Sequence, residues 1–112
     1  MEIKNNIIVY VTSEEKAPFT EWLESLDKIV RSRIKERLDR VALGNMGDCS
    51  PITAGEGVCE LRFLFGPGYR VYYAMDGDNV VLLLSGGKKS TQSKDIKKAV
   101  LFWKDYLRGK PL

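Results

Sequence analysis

The stretch from Val58 to Ser85 holds three short hydrophobic runs separated only by Gly66-Pro67-Gly68 and Asp76-Gly77-Asp78, and that spacing leaves few ways to fold. Runs this short suit strands, and the Gly, Pro and Asp groups between them are turn formers, so the pattern predicts two consecutive antiparallel hairpins. Val58 to Phe65 alternates, with Val58, Glu60, Arg62 and Leu64 on one face and Cys59, Leu61, Phe63 and Phe65 on the other. Tyr69 to Met75 alternates as well. Val80 to Ser85 reads as a continuously apolar strand, as expected of an interior strand covered on both sides. A three-residue loop at Gly66-Pro67-Gly68 sets Phe65 against Tyr69, Phe63 against Val71 and Leu61 against Tyr73, which keeps one face apolar. On the other face the same register puts Arg62 opposite Tyr72 and Leu64 opposite Arg70.

The flanks supply the covering layers. Ile7 to Val11 is β-branched and aromatic and reads as a strand ending at Thr12-Ser13. Pro18 is tolerated only in the first turn of a helix, which therefore begins near Ala17 and carries Phe19, Trp22, Leu23 and Leu26 as its apolar stripe. Asp27 is placed to cap a second helix, whose apolar positions Val30, Ile34, Leu38 and Val41 run until Gly44 offers a left-handed stop. Arg31, Lys35, Glu36, Asp39 and Arg40 on its opposite face have mixed signs and read as solvated. Gly44 to Gly57 reads as a connecting loop. A last helix from about Ser93 turns Ile96, Val100, Trp103 and Leu107 inward and carries Lys94, Lys97, Lys98, Lys104 and Arg108 elsewhere. The expected fold is α+β, in the order β-α-α-β-β-β-α, as one domain over residues 1–112.

Composition narrows the chemistry. The chain has no His, and Glu60 is the one carboxylate in the hairpin strands, so no Ser-His-Asp arrangement, metal cluster or facing carboxylate pair is expected. Neither a cofactor nor a metal is expected. Cys49 and Cys59 have no zinc spacing and read as reduced structural thiols. The first residues lack the features of a secretory signal and the longest apolar run is too short to span a bilayer, so a cytoplasmic protein without membrane association is expected. Charge is uneven: residues 1–60 hold 8 Lys and Arg against 11 Asp and Glu, whereas residues 61–112 hold 10 against 4. The basic C-terminal half suits a polyanionic or acidic partner.

What remains is Arg62, Arg70, Tyr72, Lys88 and Lys89, a set suited to holding a phosphodiester and neutralising charge on it. Gly86-Gly87-Lys88-Lys89-Ser90 lacks the spacing of a nucleotide-binding P-loop, but its glycines let backbone approach a ligand closely. Lys94, Lys97 and Lys98 extend the basic surface as candidate RNA contacts.

Glu60-Leu61-Arg62, then Phe65-Gly66-Pro67-Gly68-Tyr69-Arg70-Val71-Tyr72-Tyr73, then Val81-Leu82-Leu83-Leu84-Ser85-Gly86-Gly87-Lys88-Lys89 resembles the HigB-type, phage Gp49-like branch of the RelE/ParE toxins. Pro18-Phe19, Trp22-Leu23, Ile96-Lys97-Lys98-Ala99 and Trp103 match that branch too, so the resemblance covers nearly the whole chain. It implies a RelE-like fold with a helical hairpin on a mostly antiparallel sheet. It further implies a ribosome-dependent mRNA interferase acting on mRNA in the ribosomal A site by attack of a ribose 2′-hydroxyl on the adjacent phosphate. Carried onto this chain, Arg70 matches a phosphate-stabilising arginine, Arg62 a basic residue of the preceding strand, and Lys88 or Lys89 the basic position after the last strand. Some relatives use a His or Tyr near the C-terminus as acid or base. Here there is no His and Tyr106 lies far along the last helix, leaving either lysine, or Tyr72, for proton transfer. The expected protein partner is a helix-turn-helix, HigA-like antitoxin encoded nearby. Two other uses are compatible with the sequence: a ParE-like gyrase inhibitor that cuts no RNA, and a nonenzymatic RNA-binding module.

Overall fold

Because the hairpin strands are apolar on both sides, the sheet has to be covered on both. The structure, a computed structural model, describes residues 2–86 and 89–109, with positions 84–86 and 89 described as backbone. Strands Asn6–Val9 (β1), Cys49–Pro51 (β2), Val58–Arg62 (β3), Arg70–Asp76 (β4) and Asn79–Gly86 (β5) form one sheet in the order β1-β5-β4-β3-β2. β1 runs parallel to β5, and all other neighbours are antiparallel. The helices are Pro18–Ser25 (α1), Lys28–Ala42 (α2) and Gln92–Arg108 (α3), the last entered through a 3-10 turn at Lys89–Thr91. This is the expected α+β order with one addition. Within the stretch expected to be a loop, β2 pairs with β3 at the sheet edge, where Pro51 leaves no interior ladder bond unmade.

Phe19 and Leu23 of α1 and Ile34, Leu38 and Val41 of α2 pack on Leu61, Phe63, Val71, Tyr73, Val80 and Leu82. On the opposite face Ala99, Val100 and Trp103 of α3 pack on Val58, Tyr72, Ala74, Val81 and Leu83. The caps follow from the sequence. Pro18 opens α1, the Val30 N–H donates to Asp27 Oδ1 at 3.1 Å, and Gly44 ends α2 at a φ of 96°.

Several expectations need correction. β1 ends at Val9 rather than Val11, and Val11 is exposed. Leu107 is also exposed, because the inward stripe of α3 continues through Trp103 to Tyr106, whose hydroxyl donates to Asp76 Oδ2 at 2.6 Å. The β3–β4 hairpin closes through a wider connection than three residues. Phe63 N–H donates to Tyr69 O at 2.9 Å, but Leu64 swings outward to 91% exposure and a tight turn forms where Gly68 N–H donates to Phe65 O at 3.1 Å. Phe65 leaves the ladder to pack edge-on against Phe63 and Tyr69, with the Arg33 guanidinium 3.9 Å above its ring. Pairing is therefore displaced by two residues: Leu61 lies opposite Val71, and Arg62 lies opposite Arg70, not Tyr72. An even displacement preserves the face of every side chain, so the core assignment survives.

Two buried phenols tie stability to alkaline pH. Burial is the largest cause pushing both Tyr10 and Tyr72 up to about 12; Tyr10 also donates to Asp105 Oδ2 at 2.6 Å. Their folded-state values lie above the ordinary value of 10.0, so the unfolded chain ionises first as pH rises. Their contribution is complete below the unfolded value and is lost as pH climbs through the folded one. The urea midpoint should fall between roughly pH 10 and 12, with tyrosine absorbance changing in step with unfolding. A flat midpoint across that window would contradict burial of these phenols.

Candidate functional site

Hydrogen-bonded pairing aligns the predicted arginines in a row at one end of the sheet. Arg62 of β3 pairs with Arg70 of β4, and Arg70 pairs with Gly86 of β5. On the far side of Arg62, its backbone N–H donates to Asp48 O at 2.9 Å, so Asp48 extends the row beyond β3. The next row inward is Ser50, Glu60, Tyr72 and Leu84 across the four strands. A bulge in the β4–β5 pairing lies between Tyr72 and Tyr73, immediately inside the arginine row, a place where such irregularities re-aim strands.

Two like charges directly opposite each other repel, and here acidic groups answer them. Glu60 is 7% exposed. Its Oε1 lies 3.0 Å from Arg62 Nη1 and its Oε2 lies 3.5 Å from Arg70 Nε, so one carboxylate bridges both guanidiniums. The Glu60 Oε2 to Arg70 Nε approach is an ion pair rather than a hydrogen bond, and both atoms are buried. Arg62 Nη1 also donates to Ser50 Oγ at 3.1 Å, while its Nε and Nη2 donate to Asp48 Oδ1 at 3.0 and 2.7 Å. That hydrogen bond holds the Asp48 carboxyl below its ordinary range and raises Arg62 above its own. Arg62 is 37% exposed and Arg70 is 21% exposed at the side chain, so both are reachable from solvent.

Tyr72 lies on the same face but one row inward, at 1% exposure beneath α3. Burial above all, then the charges of Asp95 and Glu60, push its hydroxyl up to about 12. Lys94, Lys97 and Lys98 are exposed on α3, and no described contact joins them to the arginine row. Lys88 lies outside the described residues, as does the side chain of Lys89. Cys49 and Cys59 are free and half-buried, and burial pushes the Cys59 thiol up.

Sequence reasoning missed three parts of this site. Asp48 and Ser50 lie in the stretch assigned to a loop; the only signal for a strand there was the brief Cys-Ser-Pro run beside a β-hairpin. Arg37 was hidden within a helix rich in charge. Its Nη1 donates to Arg62 O at 2.7 Å, and its Nη2 donates to Met46 O at 3.1 Å and Asp48 O at 2.9 Å, while its guanidinium lies 4.9 Å from the Phe63 ring centre. One helical side chain therefore fixes the backbone of two site residues. Desolvation lowers its pKa, with the Asp48 charge opposing.

A bridged arginine pair at a sheet end carries donors of the kind that can hold an oxyanion, here on an α+β sheet covered on both faces. Residues 21–101 match the family described as phage derived protein Gp49-like (DUF891), and the chain belongs to that family. A protein of Haemophilus influenzae (strain ATCC 51907 / DSM 11121 / KW20 / Rd), named as an uncharacterized protein, is 43% identical over 84 residues, covering 74% of this chain and 83% of the relative. Among the described residues no helix is long and apolar enough to cross a membrane.

Arg37 yields a stability prediction. Arg37→Ala removes a charged donor from three carbonyls and should destabilise the fold by about 3 kcal/mol in urea denaturation. Arg37→Lys should recover little, because one ammonium cannot reproduce the guanidinium fork. Full recovery by lysine would show that charge alone holds the β2–β3 edge.

Proposed function

We propose that the protein is the toxin of a toxin–antitoxin pair and acts as a ribosome-dependent endoribonuclease. The observation that carries this reading is the row Arg62, Arg70 and Gly86, because it joins two partly exposed arginine side chains to the strand that in sequence precedes Gly87-Lys88-Lys89. Membership of the phage-derived Gp49-like family supports it.

In the proposed reaction a ribose 2′-oxygen attacks the neighbouring phosphorus. The O2′–P bond forms and the P–O5′ bond breaks, leaving a 2′,3′-cyclic phosphate and a free 5′-hydroxyl. Negative charge grows on the non-bridging oxygens as the phosphorane forms, and fixed guanidiniums stabilise it without reorganising. Arg70 supplies the principal contact and Arg62 the second. The 2′-hydroxyl proton must leave and O5′ must receive one. Lys88 and Lys89, the basic pair that follows β5 in sequence, are assigned this proton traffic. Tyr72 is assigned no proton transfer, because its hydroxyl is buried and raised to about 12. Lys94, Lys97 and Lys98 contribute a sequence-independent attraction to RNA. The proposed partners are mRNA in the ribosomal A site and a helix-turn-helix antitoxin that masks the row.

The test is to incubate purified protein with a defined mRNA, with and without programmed ribosomes, and to map 5′ ends. Cuts should require ribosomes, and Arg70→Ala should slow them by about 10²-fold or more, the range for losing one oxyanion donor. Absence of cuts in both conditions, with toxicity in cells intact, would refute the nuclease and direct attention to gyrase.

A further inference from the structure

The two acids bound to Arg62 are not equivalent. Glu60 sits on the inner edge of the guanidinium with its side chain 9% exposed, and it reaches Arg70 as well. Asp48 sits on the Nε–Nη2 edge with its side chain 39% exposed, and both donors converge on its single oxygen Oδ1. That edge is the one a phosphate or carboxylate engages with two parallel hydrogen bonds. Asp48 therefore occupies the position an incoming oxyanion needs, and an exposed ion pair of this kind is held weakly.

We infer that the outer Nε–Nη2 edge of Arg62 binds one phosphate-type oxyanion, that Asp48 is the internal occupant it displaces, and that Glu60 is a positioning residue keeping the Arg62 and Arg70 side chains in place. The assignment of RNA as the source of that phosphate rests on the function proposed above; the site itself does not. Charge balance favours the exchange. Arg62 and Arg70 are balanced by Asp48 and Glu60, and a phosphodiester entering as Asp48 leaves restores the same sum. Displacing Glu60 instead would strip the bridge from two guanidiniums that face each other across the β3–β4 pair. Ser50 Oγ, accepting from Arg62 Nη1 at 3.1 Å, keeps the inner edge in place while the outer one exchanges.

The exchange makes two substitutions act in opposite directions. Titration of the full chain with inorganic phosphate, with a short RNA carrying one 2′-deoxyribose at the reacting position, and with the same oligomer as DNA, can be followed through the arginine Nε–Hε resonances, assigned with Arg62→Lys and Arg70→Lys. Asp48→Asn should bind phosphate about two- to fivefold more tightly than the natural chain, because its competitor is weakened. Glu60→Gln should bind it on the order of tenfold more weakly and broaden the Arg70 resonance, as expected when one member of a coupled network is removed. If Glu60→Gln does not fold, the exposed Asp48→Asn decides alone. Equal or weaker binding by Asp48→Asn, or phosphate shifts that leave the Arg62 resonance unmoved, would overturn the inference. Equal binding of RNA and DNA, with the phosphate effects as expected, would leave the oxyanion site standing and count against the RNA reading alone.

Discussion

Two guanidiniums stand face to face across β3 and β4, and the end of the sheet is arranged around making that tolerable. A pair of like charges in paired strand positions would ordinarily weaken the ladder. Glu60, one pair inward and almost fully buried, turns the repulsion into a bridge. Arg37 then binds the carbonyls of Arg62, Asp48 and Met46, so that the backbone presenting the charges cannot drift. Tyr72 closes the floor and shares a buried cluster with Trp103 of α3. The polar atoms of this site are held by strand pairing and by a helix rather than by a turn.

The elements that sequence alone revealed are those set by short-range rules. The Asp27 cap, Pro18 at the start of α1, the Gly44 stop and the buried run Val80 to Leu83 all depend on local geometry or on continuous burial, and all stand where expected. The hairpin register did not follow from the same rules. Gly66-Pro67-Gly68 suggests the shortest loop, but the aromatic contacts of Phe65 with Phe63 and Tyr69, capped by Arg33, favour a wider one. Since the displacement is even, the error left the faces intact while changing which residue opposes Arg62 from Tyr72 to Arg70. Likewise β2 is too short and too polar to announce itself; it exists because β3 offers an unpaired edge. The site was therefore legible as a set of arginines and not as a network, since Asp48, Ser50 and Arg37 are joined to it only by tertiary contacts.

Membership of the phage-derived Gp49-like family and the α+β architecture agree with each other, but neither names a reaction. The chemistry has to come from the side chains. Under the proposed function a bridged arginine pair can stabilise charge but has no proton to give, so the proposal places acid–base work on other residues.

The parallel pairing of β1 with β5 has a consequence for the order of events during synthesis. Asn6 and Asn79 lie 73 residues apart in sequence yet hydrogen-bond side by side, so β1 waits for β5 to be made before it has a strand neighbour. Such a distant contact closes late, after the local hairpins have formed. Arg62 and Arg70 meet Gly86 only when β5 has emerged. A chain that has not yet made β5 therefore carries β1 without its strand neighbour and the arginine row without its third member, Gly86.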